Sequence, residues 1–260
     1  MDGISTVYSP AGGAQSDQAS VIGRCEADVV AVRAIIFDLD GTLADTEQLH
    51  FEAFNAVLNP HEIEISRPEY FGRLIGYDDR GCFRQVLGEH GRSASDSVVG
   101  ELIAQKTAIY KTIVAQRQIL FPGAAEFVRY CASRFPLALV TGTLRVEAEL
   151  ILGKAGLLEL FADIIAAEDV EQGKPEPDGF NAALGRLGYI LRPRPLLAAA
   201  ECLAVEDTAA GIEAARRAGM RVLAVAQTVL PSELKAADLV RPSIAEINLD
   251  EVLRLLAGLD

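Results

Sequence analysis

The sequence is short of basic residues: 24 Lys and Arg stand against 37 Asp and Glu, a net charge of -13. A surface so acidic repels nucleic acid and anionic membrane, so neither is a natural partner. An anionic substrate therefore has to be drawn in by local positive charge or by a metal. Cysteine is scarce as well. Cys25, Cys82, Cys131 and Cys202 are far apart, no C-x-x-C occurs, and only three His accompany them. That spacing argues against a disulfide framework or a zinc site and fits a reducing compartment. No apolar run approaches the roughly 20 residues needed to cross a bilayer. The N-terminus lacks the charged start and apolar stretch of a signal peptide, so the chain is expected in the cytoplasm. No G-x-S-x-G is present, and Gly153-Lys154 lacks the Ser/Thr and the upstream glycine of a P-loop. Residues 1–30 mix Gly, Ser, Ala, Gln and Asp without periodicity and are expected to form a flexible extension. No internal repeat or low-complexity tract follows them.

What is present suits one large domain, or a domain plus an insertion: 260 residues, half of them hydrophobic. Val32-Arg33-Ala34-Ile35-Ile36-Phe37 is an apolar run with β-branched residues that ends at polar Asp38. This is the pattern of a buried parallel strand delivering a residue at its C-terminal edge. Similar runs follow. Pro136–Val140 ends at Thr141, Asp163–Ala167 precedes a loop to Lys174, Cys202–Val205 ends at Glu206-Asp207, and Arg221–Val225 comes last. Helical patterns lie between them, at about 123–134, 145–156, 178–187 and 209–218, the last stopping at Gly219. Alternating strands and helices predict an α/β fold, a Rossmann-like parallel sheet with helices on both faces. Ligands in such sheets bind beyond the carboxyl ends of the strands, and four of the five strand ends lead to polar residues. Residues 47–120 break the rhythm and read only as helices, at about 47–58, 67–75, 80–89 and 95–116. The predicted organisation is an α/β core over 31–46 and 121–260 with an inserted all-helical cap over 47–120.

The chemistry starts at Asp38 and Asp40. Two residues apart at the end of an extended strand, they can point the same way. Carboxylates so placed can hold a hard cation such as Mg²⁺, or divide labour between a nucleophile and an acid/base. Gly41 allows a sharp turn and Thr42 can tie it down. D-x-D-G-T occurs by chance in about one chain in a thousand of this length, which favours function over turn chemistry alone. Thr141-Gly142-Thr143 at the next strand end offers a hydroxyl and backbone N–H groups for phosphate oxygens, though Thr and Gly often serve simply as caps there. Lys174 lies in Gly173-Lys174-Pro175-Glu176-Pro177-Asp178, where two prolines stiffen the loop. A placed ammonium there would stabilise phosphoryl charge. Glu206-Asp207 could complete a metal site, or Asp207 or Thr208 could cap the helix that follows. His50 and His61 read as isolated histidines with no site of their own.

With these residues the chain resembles the haloacid dehalogenase superfamily of hydrolases, in the branch with a helical cap. Within it, the chain is similar to the phosphoglucomutase-like and sugar-phosphate phosphatase group. The likeness runs from about residue 32 to the C-terminus. It rests on Phe37–Glu47, Thr141-Gly142, Gly173-Lys174-Pro175, and Val205–Thr208 with Gly211 and Ala215–Met220. The resemblance implies that Asp38 forms an aspartyl-phosphate and that Asp40 is the general acid/base, with its backbone carbonyl on Mg²⁺. It implies that Thr141, Gly142 and Lys174 bind the phosphoryl group. Asp38, Asp40 and Asp207 then make the metal site, with Glu206 acting through water. His50 matches a histidine after the first motif, and Lys106 falls near a cap lysine. Where mutases carry an arginine, this chain has Asp79, with Arg80 next to it.

The expected function is a Mg²⁺-dependent phosphatase acting on a small phosphorylated metabolite such as a sugar phosphate, with a sugar-phosphate mutase as the alternative. A signalling receiver domain uses a related acidic pair, Thr and Lys, but is much shorter and has no cap insertion. A catalytically silent binding protein is disfavoured because every motif position is filled.

Overall fold

The computed structural model describes residues 31–75, 77–191 and 196–258. The N-terminal extension expected at 1–30, with Cys25, lies outside the described residues. The chain enters β1 (Ala34–Phe37), then passes through α1 (Glu47–Leu58), α2 (Arg67–Glu69, running on into a π-helical turn, Tyr70–Leu74), α3 (Asp79–Glu89), α4 (Asp96–Gln116) and α5 (Ala124–Ala132). There follow β2 (Leu137–Val140), α6 (Arg145–Lys154), β3 (Phe161–Ile165), α7 (Asp178–Ile190), β4 (Cys202–Glu206), α8 (Ala209–Arg217), β5 (Arg221–Val225), β6 (Leu239–Arg241) and α9 (Leu249–Leu256).

The sheet order is β3-β2-β1-β4-β5-β6, and every pairing is parallel. Strand alternation sorts the residues into two cores. Ile35, Phe37, Leu137, Leu139, Leu203, Val205, Leu223 and Val225 face α5, α6 and α9. Ala34, Ile36, Ala138, Val140, Cys202, Ala204, Val222 and Ala224 face α7 and α8. Burying both faces is why these strands read as continuous apolar runs rather than as an alternation. The central strand β1 has β2 on one side and β4 on the other. Connections diverge there, which opens a crevice at the carboxyl ends of β1, β2 and β4.

Two strand expectations shift. The strand expected at Asp163–Ala167 is Phe161–Ile165. Phe161 is buried and starts it, while the Asp169 carboxylate accepts the Ala166 N–H at 2.9 Å and turns the chain out of the sheet. The edge strand β6 was not expected. It is three residues long and only partly buried, too short for periodicity to mark. Cys82, Cys131 and Cys202 are free and buried.

Between β1 and β2 the described residues form helices only, as read from the sequence. They gather a core of their own around Phe54, Leu58, Tyr70, Leu74, Phe83 and Leu102. Ser66 caps α2 by accepting the Glu69 N–H at 3.3 Å. The long helix α4 bridges two cores: Val99 and Leu102 belong to the helical cluster, and Tyr110 and Val114 to the cluster on the sheet. No helix among the described residues is long and apolar enough to cross a membrane.

Candidate active site

Asp38 leaves β1 with its N–H donated to Val205 O at 3.0 Å. The backbone then turns sharply. Gly41 N–H reaches Ala44 O at 2.8 Å, and both Leu43 and Ala44 donate to Leu39 O. Gly41 sits at φ +83°, and a Cβ there would come within 2.0 Å of Asp207 Oδ2. The glycine is therefore required twice, by its left-handed conformation and by the carboxylate pressed against it. Gly211, in the first turn of α8, has the same task on the other side: a Cβ would lie 2.0 Å from the Glu206 carboxyl. Gln227, which sequence reasoning missed, ties this turn down by donating to Gly41 O at 2.9 Å and Thr42 O at 2.8 Å.

Asp38, Glu206 and Asp207 converge, each offering a carboxylate oxygen within 4.8 Å of the others. All are buried. The Lys174 ammonium lies 2.5 Å from both Asp38 Oδ1 and Glu206 Oε1 and donates to Val140 O at 3.1 Å. Asp207 accepts from Thr42 Oγ1 at 3.3 Å and from Thr228 Oγ1. Glu206 Oε2 accepts the Asp207 N–H at 3.1 Å. Asp38 Oδ2 is buried without a hydrogen-bond partner. Hard carboxylate donors around one lysine, with an unpartnered oxygen among them, fit a small divalent cation of the oxygen-preferring kind.

Burial drives the Asp38 carboxyl well above the usual carboxylate range. Lys174 opposes the shift, and Glu206, Asp207 and Asp40 add to it. Asp207 is pushed up to about 7, by burial first and then by Glu206, with Thr228, Lys174 and Thr42 pulling the other way. Burial would lower Lys174, but Asp38 and Glu206 hold it above the ordinary lysine value.

The Asp40 side chain does not join this cluster. Its Oδ1 accepts from Thr46 at 2.6 Å, and its Oδ2 accepts from Thr141 at 2.9 Å and Thr143 at 2.7 Å. His50 Nε2 lies 3.8 Å from Oδ1. Burial would raise the Asp40 pKa, but His50, Thr46 and Thr143 outweigh it and hold the group well below the usual range. The Thr141 hydroxyl, expected on phosphate, is thus bonded to Asp40, and Gly142 is exposed.

His50 is not isolated: it is paired with Lys106. His50 is buried and stacked on Tyr110, with ring centroids 4.5 Å apart. Lys106 is fully buried. It sits 2.8 Å from His50 Nδ1 and 2.6 Å from Asp79 Oδ1, with Glu147 Oε2 at 3.8 Å. Sequence reasoning missed Glu147. The available signal was an acidic residue in step with Ala148, Ile151 and Leu152 on the buried stripe of α6. Burial raises its pKa, with Lys106 and His50 opposing.

Comparison with known proteins agrees with this architecture. The family model described as haloacid dehalogenase-like hydrolase matches residues 32–219. The chain is 35% identical to the protein CbbY of Rhodobacter capsulatus over 80% of this chain and 88% of the relative. It is 29% identical to the fructose-1-phosphate phosphatase YqaB of Escherichia coli over 72% of this chain and 92% of that one. Among solved structures, a point mutant of CbbY from Rhodobacter sphaeroides, in complex with xylulose-(1,5)bisphosphate, superposes with a TM-score of 0.73 at 28% identity. That match covers 84% of this chain and 96% of that one. The chain belongs to the haloacid dehalogenase-like hydrolases. It is a phosphoric monoester hydrolase.

Proposed function

We propose that the protein is a Mg²⁺-dependent phosphatase that hydrolyses a small sugar phosphate through an aspartyl-phosphate on Asp38. The observation that carries this reading is Asp38 Oδ2, buried and unpartnered beside the Lys174 ammonium. An Asp38 oxygen attacks phosphorus, and the bond from phosphorus to the sugar oxygen breaks. The departing oxygen takes a proton from Asp40. Asp40 then accepts a proton from the water that attacks the acyl phosphate, which releases inorganic phosphate and regenerates Asp38. Lys174 neutralises the phosphoryl oxygens and opposes the rise in the Asp38 pKa that burial causes. Asp40 is held ionised by the Thr46, Thr141 and Thr143 hydroxyls, so to act as the acid it must leave them and take up a proton from solvent, and a substrate phosphoryl group would take over the Thr141 hydroxyl. Asp38 and Asp207, with Glu206 beside them, would hold the Mg²⁺, which supplies charge neutralisation at the phosphoryl oxygens. The helical segment over 47–120 would act as the cap that excludes bulk water.

The test is a phosphate-release screen over sugar phosphates, phosphoglycolate and nucleotides. Activity should vanish in excess chelator and return with Mg²⁺; full activity in chelator sinks the metal assignment. Net release of phosphate, rather than formation of an isomer, separates a phosphatase from a mutase.

A pH dependence follows from Asp207. Protons compete with the cation for a carboxyl whose pKa is about 7. The Mg²⁺ concentration for half-maximal activity should therefore fall about tenfold between about pH 6 and pH 8. The same raised pKa makes the metal-free fold lose stability as pH rises from the ordinary 3.8 through about 7. Mg²⁺ should flatten that slope. A half-saturating concentration that does not move with pH would remove Asp207 from the site.

A further inference from the structure

The proposed reaction depends on the Lys174 ammonium, yet Lys174 stands on a loop. Residues 170–177, between β3 and α7, form neither helix nor strand. Within the loop the Glu176 N–H closes a turn on Gly173 O at 3.0 Å. The Lys174 side chain reaches Asp38, Glu206 and Val140 O. Those contacts use the donors that the reaction needs. An ammonium has three N–H donors, and a substrate phosphoryl group competes for them, so they must be redistributed while the backbone beneath stays in place.

Arg217, the last residue of α8, supplies an anchor that lies outside this competition. Its guanidinium grips the Glu176 carboxylate with both ends, Nη1 donating to Oε1 at 3.0 Å and Nη2 to Oε2 at 2.6 Å. Nη1 also donates to Pro175 O at 3.2 Å. The three bonds hold the two residues that follow Lys174, and a fork meeting a carboxylate fixes direction as well as distance. The helix behind Arg217 is a firm base. Ile212, Ala214 and Ala215 are fully buried, and Thr208 caps the start of α8 by accepting the Gly211 N–H at 3.0 Å. That start follows directly on Glu206 and Asp207. One helix therefore has the carboxylate pair before its first turn and clasps the lysine loop from its last, so it sets the spacing between ammonium and carboxylates.

The Arg217 and Glu176 side chains are 42% and 35% exposed. An ion pair so exposed adds little to stability. Displacing a group that must meet a transition state is far more costly, up to about 10²-fold in rate for about 1 Å. The pair is thus built to act on turnover rather than on folding. We propose that Arg217 is a positioning residue for phosphoryl transfer: through Glu176 and Pro175 O it holds the Lys174 loop where the ammonium meets the transferring phosphoryl group. This rests on the phosphatase reading above.

The experiment measures kcat and KM for p-nitrophenyl phosphate in Mg²⁺, together with inhibition by inorganic phosphate, which reports on the same ammonium without turnover. Arg217→Met and Glu176→Gln should each lower kcat/KM about tenfold and weaken phosphate inhibition, while Tm moves by about 2 °C or less. Arg217→Lys keeps the charge but loses the fork, so it should recover little. Exchanging the partners, Arg217→Glu with Glu176→Arg, should recover most of the lost rate. In a Lys174→Met background Arg217→Met should change nothing further, because it acts through that lysine. An equal proportional loss with Lys174 present and absent would reveal a purely structural role and overturn the proposal. Wild-type kcat/KM and phosphate inhibition in Arg217→Met would overturn it alone, leaving the phosphatase reading intact. That outcome is read from an exposed single substitution, even if Lys174→Met does not fold. Failure of the wild-type protein to release phosphate from any ester of the screen overturns the phosphatase reading, and this inference with it.

Discussion

Asp38→Asn is expected to reduce phosphate release by on the order of 10⁴-fold or more, the scale seen when a nucleophile is removed from a covalent mechanism. The argument is local. Asp38 is the residue that β1 delivers to the crevice, and its Oδ2 is buried with nothing bound to it. An amide occupies the same volume but has no anionic oxygen to attack phosphorus. The fold should survive. Lys174 keeps Glu206 at 2.5 Å and Val140 O at 3.1 Å. Removing one of three crowded carboxylates also relieves the repulsion from Glu206 and Asp207 that helps raise the Asp38 pKa. Thermal melting should therefore move little while turnover collapses. The variant should also fail to acquire the phosphoryl mass that the wild-type protein shows when quenched in acid during turnover. A residual rate above about 1% of wild type would remove Asp38 as nucleophile, since ordinary acid–base help alone contributes about 10²–10⁴-fold.

How much of this site could be read from the sequence follows from how each residue is held. Asp38, Thr141 and Asp207 stand at or just past the ends of apolar runs, so a one-dimensional pattern places them at one edge of a parallel sheet. Lys174 was legible through its stiff proline loop. The side-chain directions were not. The spacing of Asp38 and Asp40 suggests a shared orientation, yet the turn at Gly41 sends Asp40 to Thr46, Thr141 and Thr143. Those hydroxyls come from the start of α1 and the end of β2, and no local rule pairs them. The burial of Lys106, marked only by the family resemblance, and of Glu147, marked only by its place on the buried stripe of α6, was hidden for a related reason. A charged residue on a helix reads as solvated, and only the packing of α4 against α6 buries these two together. Edge strand β6 failed on length alone.

Lys174→Met is expected to act on stability and turnover together, through one cause. Its ammonium is the cation nearest Asp38 and Glu206, at 2.5 Å from each, and it also lowers the Asp207 pKa. Methionine fills similar space beside Phe180 but leaves three buried carboxylates facing one another. Breaking a buried pair costs about 3–5 kcal/mol, which for a domain of this size lowers Tm by on the order of 10 °C. The sign with pH is definite. Without the lysine the carboxyl pKa values rise further, so the folded state binds more protons than the unfolded one. The deficit should therefore be largest near pH 8 and shrink toward pH 5. Mg²⁺ supplies the missing positive charge to the same oxygens and should raise the Tm of the variant more than that of the wild-type protein. It should not restore turnover, which is expected to stay on the order of 10³-fold down, because the ammonium also stabilises charge as it develops on the phosphoryl group. A variant that melts normally at pH 8 in chelator would show that the carboxylates are balanced by something other than Lys174. Recovery of turnover by Mg²⁺ alone would confine the lysine to holding the carboxylates apart.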